Sequence, residues 1–533
     1  MKKHSNYKII DLLYCLQYEI FYLVLRPMMK NNLGFDNQRY LETQTDSILK
    51  RMEQFHGKLY LECGGKLLYD YHASRVLPGF DPNVKIQVFK KLKDKIDVII
   101  CIYAGDIERK KIRADFGITY DVDTLKMIDD FTDYGLRVKG VVITRYEEQP
   151  SAAQFKQLLE RRGISVYTHK KTKGYPTDVD LIVSEEGYGA NEYIETERPI
   201  VIVTAPGPGS GKLATCLSQL YHDNKNGIDS GYSKFETFPV WDVPLNNLVN
   251  VAYEAATADL GDINRLDHFH LEAYGTKVIN YNRDLDAFPL LKRIIEKISG
   301  KECLYKSPTD MGVNRISAGI IDNDICENAS RMEIIRRYYR ASVEYALGFG
   351  TQQTIENLQI LMQNHGIKLE DRAVVKESEA KRLEGIERNK GSENVVAAGA
   401  MQLSDGTIIT GLNSPILHES AAMVLNAIKR LAGIPDSIDL IPNNIIQSIS
   451  SMKHNVLSSK GVSLDVDEVL IALSVSAASN PAAEAGIKQL KNLRGADAHL
   501  THIPANGDET GLRKLGINLT SNAKFATKQM MNK

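Results

Sequence analysis

From Lys58 onward, short aliphatic and β-branched runs alternate with longer stretches whose apolar positions recur at helical spacing. The runs Leu59–Glu62, Ile96–Tyr103, Val138–Thr144, Ile164–Thr168, Val179–Ser184, Ile200–Thr204 and Lys277–Tyr281 predict strands. Several are apolar at consecutive positions, as strands are when both faces of a parallel sheet are covered. Between them, Ala152–Arg162 and Leu213–Tyr221 predict helices. Strand alternating with helix is the pattern of βαβ units. The expected fold is therefore α/β, a doubly wound, mainly parallel sheet of Rossmann-like or P-loop-like type. Ligands of such sheets bind in the loops that leave the C-terminal ends of the strands.

After about Ser330 the pattern turns helical, with Met332–Leu347 and Gln353–Gln363, then the densely charged stretch Leu369–Lys390, which reads as a solvated helix or connector. An apolar run from Val395 meets the hairpin signal Ser404-Asp405-Gly406-Thr407 before Ile408–Thr410. Leu417, Ala421, Val424, Leu425, Ile428 and Leu431 then share one face of a helix that Gly433 and Pro435 stop. This divides the chain into an N-terminal extension (1–33), an α/β domain (34–329), a helical connecting region (330–393) and a C-terminal α/β domain (394–533). Ile9–Leu25 is apolar-rich behind Lys2, Lys3 and Lys8, but Asp11, Gln17 and Glu19 interrupt it. It falls short of the roughly 20 apolar residues of a membrane span and reads as an extension lying loosely on the fold, not as a signal peptide.

Composition narrows the class without naming a chemistry. Sixty-six basic against 67 acidic side chains leave a formal charge of −1, which argues against nucleic acid or a membrane surface as partner. The cysteines (Cys15, Cys63, Cys101, Cys216, Cys303, Cys326) form no CxxC pair and read as reduced thiols, so the expected setting is the cytoplasm. A homo-oligomer is a possible state for a cytosolic enzyme of this size.

The candidate chemistry centres on Ala205-Pro206-Gly207-Pro208-Gly209-Ser210-Gly211-Lys212, between a predicted buried strand and a predicted helix. Glycines permit close backbone approach, a helix start offers N–H groups and a positive dipole, and lysine adds a charge. The loop resembles the P-loop of ATP- and GTP-using proteins, GxxxxGK[ST], with two departures. Pro206 stands at the first glycine position, and Leu213 stands where a Ser or Thr would hold magnesium. Thr215, two residues further along the helix, points elsewhere. Gly207, Gly209, Ser210, Gly211, Lys212 and Leu213 are thus the candidate cofactor-binding residues, with ATP or another nucleotide as ligand.

Other clusters offer partners for that loop. In Tyr305–Arg315, Asp310 is a candidate magnesium ligand and Lys306 or Arg315 a phosphate contact; the competing reading is a capped turn. His268 and His270 share a face if their segment is extended, which suits an acid/base pair or a metal. Asn282 and Arg283 close a predicted sheet strand. Cys63-Gly64-Gly65-Lys66 follows another strand, and Cys63 with His72 would suit a nucleophile and base if they met. His499 and His502 are spaced poorly for a metal on a strand, and His418-Glu419 lacks the cysteine pair of a zinc deaminase.

The runs Tyr71–Phe80, Gly207–Lys212, Ser307–Asn314 and Leu515–Asn518 resemble a family of bacterial proteins catalogued as a domain of unknown function, found in streptococci, clostridia and their relatives. The resemblance spans about residues 34–528 and implies nucleotide binding at Gly207–Lys212. The expectation is a cytosolic enzyme of phosphotransferase or ATP-dependent ligase type. It would act on a small metabolite, with Lys212 on the phosphates of a bound nucleotide or phosphorylated ligand, Asp310 on Mg²⁺, Lys306, Arg283 and Arg315 neutralising charge, and His268 or His270 as acid/base. The alternatives are a non-catalytic sensor or scaffold for a phosphorylated ligand, or a metal-dependent enzyme using His268 and His270.

Overall fold

The computed structural model describes residues 33–113, 116–235, 243–392, 395–459 and 461–527. The expected extension therefore lies almost wholly outside the described residues. Two compact units form: residues up to 254 with 262–330, and residues 255–261 with 331 onward.

The first unit is built on a six-stranded, all-parallel sheet of β1 (Lys58–Glu62), β2 (Ile96–Tyr103), β3 (Arg137–Thr144), β4 (Val166–His169), β5 (Ile200–Thr204) and β6 (Ser230–Lys234). Its spatial order is β4-β3-β2-β5-β1-β6. Strand β5 is buried at every position and lies between β1 and β2. The connection from β1 leads past β5 to β2, and the connection from β5 leads past β1 to β6. The chain thus leaves β1 and β5 in opposite directions, which makes their C-terminal ends a topological switch point.

The helices that bear on the site are α1 (Asn37–Met52), α2 (Tyr120–Asp133), α3 (Pro150–Arg161), α4 (Lys212–Lys225), α5 (His268–Tyr274) and α6 (Asn282–Ser299). Helices α4 and α6 bury Cys216, Leu217, Leu220, Phe288, Leu291 and Ile294 with Tyr60, Ile99, Val201 and Val203 of the sheet.

Three strand expectations need correction. Val179–Ser184 is not a strand: Val179–Ile182 is a short helix, because the Asp178 carboxylate caps it by accepting from the Leu181 amide at 3.0 Å. The predicted strand Lys277–Tyr281 contributes Ile279–Tyr281 (β8), but to an antiparallel ribbon with Asn264–Leu266 (β7) rather than to the main sheet. The strand β6, Ser-Gly-Tyr-Ser-Lys, was not expected, since Tyr232 is its one large apolar side chain.

In the second unit a mixed sheet of β9 (Ala398–Gln402), β10 (Ile408–Leu412), β11 (Asp497–Leu500) and β12 (Asn518–Ser521) has the order β10-β9-β11-β12. The β9–β10 pair is antiparallel and turns at 404–407, as the hairpin signal predicts. The part of α7 (Asn323–Ala346) from residue 331 onward and α8 (Gln352–Asn364) lead to α9 (Ala373–Glu387), then α10 (Glu419–Ala432), α11 (Val466–Ala477) and α12 (Asn506–Lys514). Val424, Ala427, Ile428, Val469, Leu473 and Leu512 pack on Met401, Ala498 and Leu500. The charged stretch read as a solvated connector is in fact a layer of this unit, because α9 packs on β9, β10 and β11. Arg372 at its start is fully buried and donates to the Asn518 carbonyl at 2.7 Å, with Asp497 at 3.2 Å. Among the described residues, no helix is long and apolar enough to cross a membrane.

Candidate functional site

The loop after β5 is shaped by its glycines. Gly209 and Gly211 have φ of 72° and 86°, in the left-handed region where a side chain is strained, and Gly211 caps α4. Ser210 donates its hydroxyl to the Gly207 carbonyl, closing the turn on itself. From outside the loop, Thr144 at the end of β3 donates to the Ser210 carbonyl at 2.8 Å, and the Tyr120 hydroxyl lies against Gly207. Arg145 donates to the Gly209 carbonyl.

This arrangement turns amides outward. The N–H groups of Gly209, Gly211, Lys212, Leu213 and Ala214 have no protein acceptor among the described residues, while Pro208 and Gly209 form the turn that Ser210 closes on Gly207. The first N–H of the helix to find one is that of Thr215, on the Gly211 carbonyl at 3.0 Å. Lys212, at the first helical position, is 8% exposed and pairs with no carboxylate within 4.0 Å among the described residues. Its charge bears on Cys63, Cys101 and Cys216, whose thiols burial nevertheless holds well above the usual range. Helix-start amides without protein acceptors and a lysine with no carboxylate beside it both favour an anion. This geometry suits an anion at a switch point.

Thr215 is buried, and its hydroxyl accepts from the Cys101 thiol at 3.4 Å, so it faces the sheet rather than the loop. Leu213 leaves the loop without the hydroxyl that would bind magnesium.

The two clusters around Asp310 and His270 come together. His270 Nδ1 lies 2.9 Å from Ser307 Oγ and 3.6 Å from Asp310 Oδ1. Asp310 Oδ2 accepts from the amides of Lys306 at 2.9 Å and Ser307 at 3.1 Å and from the Tyr274 hydroxyl at 2.9 Å. Arg51 of α1 donates to the Asp310 carbonyl at 2.7 Å. The buried Asp267 accepts from the Thr309 hydroxyl at 2.7 Å and the His270 amide at 3.0 Å. These bonds are those of a capped turn, the competing reading of this segment. Val313 continues from it to the edge of the sheet, donating to the Lys234 carbonyl at 2.9 Å.

The pairing of His268 with His270 does not hold. Their segment is a helix capped by Asp267, not an extended strand, so the two side chains are about 200° apart around its axis. His268 is exposed and lies on Phe269, while His270 turns toward Ser307. Arg283 opens α6 instead of closing a sheet strand, and it donates to the buried Asp262 at 3.0 Å. Lys306 is exposed. No hydrogen bond or ion pair joins the glycine loop to the His270–Asp310 cluster among the described residues.

The other candidates are absorbed by the fold. Cys63 is buried with its thiol pushed up by desolvation, which disables a nucleophile, and His72 packs edge-on against Tyr253 at 4.8 Å. His499 is buried, bonded to Thr520 at 2.9 Å and stacked on Tyr339 at 4.6 Å. Sequence reasoning missed Arg145, Tyr103 and Thr144. Each ends or follows a correctly placed strand, so the rule that ligands gather at C-terminal strand ends pointed to them.

Residues 33–366 match the family model described as domain of unknown function DUF1846, N-terminal, and residues 370–531 match domain of unknown function DUF1846, C-terminal. UPF0371 proteins of Clostridium botulinum (strain Alaska E43 / Type E3) and Clostridium tetani are each 54% identical over 501 residues, 93% of this chain and 99% of theirs. One of Fusobacterium nucleatum is 55% identical over 502 residues, with the same coverage. The resemblance expected from the motifs is thus established along nearly the whole chain, and the chain belongs to the UPF0371 family of bacterial proteins, which carry the N- and C-terminal DUF1846 domains.

Proposed function

We propose that this protein binds a phosphorylated small molecule, a nucleotide foremost, with a phosphate seated on the amides of Gly209 and Gly211–Ala214 beside Lys212, and that it is an enzyme of phosphotransferase or ATP-dependent ligase type. What supports the reading is a row of loop and helix-start amides without protein acceptors among the described residues, next to the largely buried side chain of Lys212, which pairs with no carboxylate among them. An oxyanion placed there answers both needs at once, and the dipole of the fourteen-residue α4 adds to its hold.

A second reading has its own support: Leu213 in place of the hydroxyl, and an Asp310 carboxylate already satisfied by protein donors, favour a site that binds a phosphorylated ligand without turning it over.

Thermal-shift titrations with inorganic phosphate, ATP and GTP, with and without Mg²⁺, test the binding. Ligand at 100 times its Kd should stabilise the protein by about 2.7 kcal/mol. Lys212→Ala should abolish the shift while leaving the ligand-free melting temperature nearly unchanged. Absence of any shift, or binding that survives in K212A, removes the proposal. Magnesium-dependent phosphate release separates the enzyme from the sensor.

A further inference from the structure

Arg145 is held against the glycine loop from another strand. It follows β3, two strands away from β5 in the sheet. Its guanidinium lies over the ring of Tyr103, the last residue of β2, 3.4 Å from the centroid. One of its nitrogens donates to the Gly209 carbonyl. The C-terminal ends of three adjacent strands, β3, β2 and β5, therefore converge through a cation, an aromatic platform and the glycine loop. The backbone of Arg145 has φ of 50°, a conformation that costs a non-glycine residue about 1–2 kcal/mol and that clusters at ligand clamps. No carboxylate pairs with Arg145 among the described residues, although Glu147 and Glu148 are near in sequence.

Resting on the reading that the loop holds a phosphate, we infer that Arg145 is a second cation of the site and that the ligand carries two adjacent anionic groups, as pyrophosphate or a nucleoside diphosphate does. A single phosphate on the loop amides is matched by Lys212 and the start of α4. A second phosphoryl group bonded to the first brings negative charge beyond the reach of that one lysine. The guanidinium spends one of its five N–H donors on a neutral carbonyl, and charge-assisted bonds to phosphate are roughly twice as strong as that contact. Stacking on Tyr103 limits the side-chain freedom to be lost on binding.

The test compares affinities of the full-length protein for inorganic phosphate, inorganic pyrophosphate and ADP by calorimetry, in the unsubstituted chain and in R145A, R145K and K212A. R145A should weaken pyrophosphate and ADP by roughly tenfold or more while changing phosphate by less than about threefold, and R145K should recover part of the loss. K212A should weaken all three. Equal losses for phosphate and pyrophosphate in R145A would mean that Arg145 only braces the loop, and that result, like no loss at all, overturns the inference while leaving the phosphate site intact. Binding of none of the three by the unsubstituted protein overturns the site itself, and this inference with it.

Discussion

Gly209 and Gly211 share a left-handed backbone, yet alanine should affect them differently. At Gly209 an added methyl group meets nothing within 4 Å, so Gly209→Ala should cost only the conformational strain, about 1–2 kcal/mol. At Gly211 the same methyl would lie 2.9 Å from Thr144, so Gly211→Ala adds a clash with the residue that bonds Ser210. We expect about 3 kcal/mol or more there by urea denaturation, with binding lost. Equal costs would mean that Thr144 gives way. At this scale the sequence was informative where structure is local: three glycines and a lysine between strand and helix marked the tight loop that the fold shows, with Gly209 and Gly211 left-handed and α4 beginning at Lys212. Arg145 follows a strand that the sequence placed correctly, but its contact with the glycine loop comes from a strand order that no local pattern encodes.

Elements were legible where apolar residues were dense. Strands β2, β3 and β5 and the hairpin at 404–407 follow their patterns closely. The failures have separate physical causes. A short, mostly apolar segment such as Val179–Ser184 looks the same in a strand and in a short helix, and here the preceding Asp178 cap decides. Strand β6 is mostly small and polar and was hidden, since its place comes from pairing with β1. Caps also organise the second unit. His418 and Asp465 precede α10 and α11, and the buried Asp508 of α12 ties these helix starts together. Asp508 accepts from the Val466 amide at 3.0 Å and from the Ser420 hydroxyl, and holds His418 Nδ1 at 2.6 Å. Asp508→Ala leaves those buried donors without an acceptor. It should cost about 3 kcal/mol, seen as a lower urea midpoint at unchanged slope. A cost under about 1 kcal/mol would show that water replaces the carboxylate.

Across the whole molecule, acid should be the harsher challenge. Burial lowers His169 in the first unit to about 4 and His499 in the second to about 3, so both rings are neutral in the folded protein at pH 7. Unfolded, each would take a proton near pH 6.5. Their contribution to stability is therefore complete above about pH 6.5 and is lost as pH falls toward 4 and 3, on the order of 3 kcal/mol for His169 and about 5 kcal/mol for His499. Melting temperatures between pH 7 and pH 4 should fall accordingly, and His499→Gln should flatten part of that slope. A slope unchanged in H499Q would place the acid sensitivity elsewhere.

The position of β5 has a consequence in time. Both strands that pair with β1, β5 and β6, are synthesised after residue 199, so the N-terminal strand of the sheet waits unpaired while β2, β3 and β4 emerge. At about 5–20 residues per second that wait lasts roughly ten seconds or longer, with an apolar edge open to other chains. The strand that ends the wait also delivers Ala205–Lys212 behind it. A nascent chain of this protein therefore joins β1 to the β2–β3–β4 half of its sheet and gains its glycine loop in the same step, and a chain stopped before Ile200 has neither the join nor the loop.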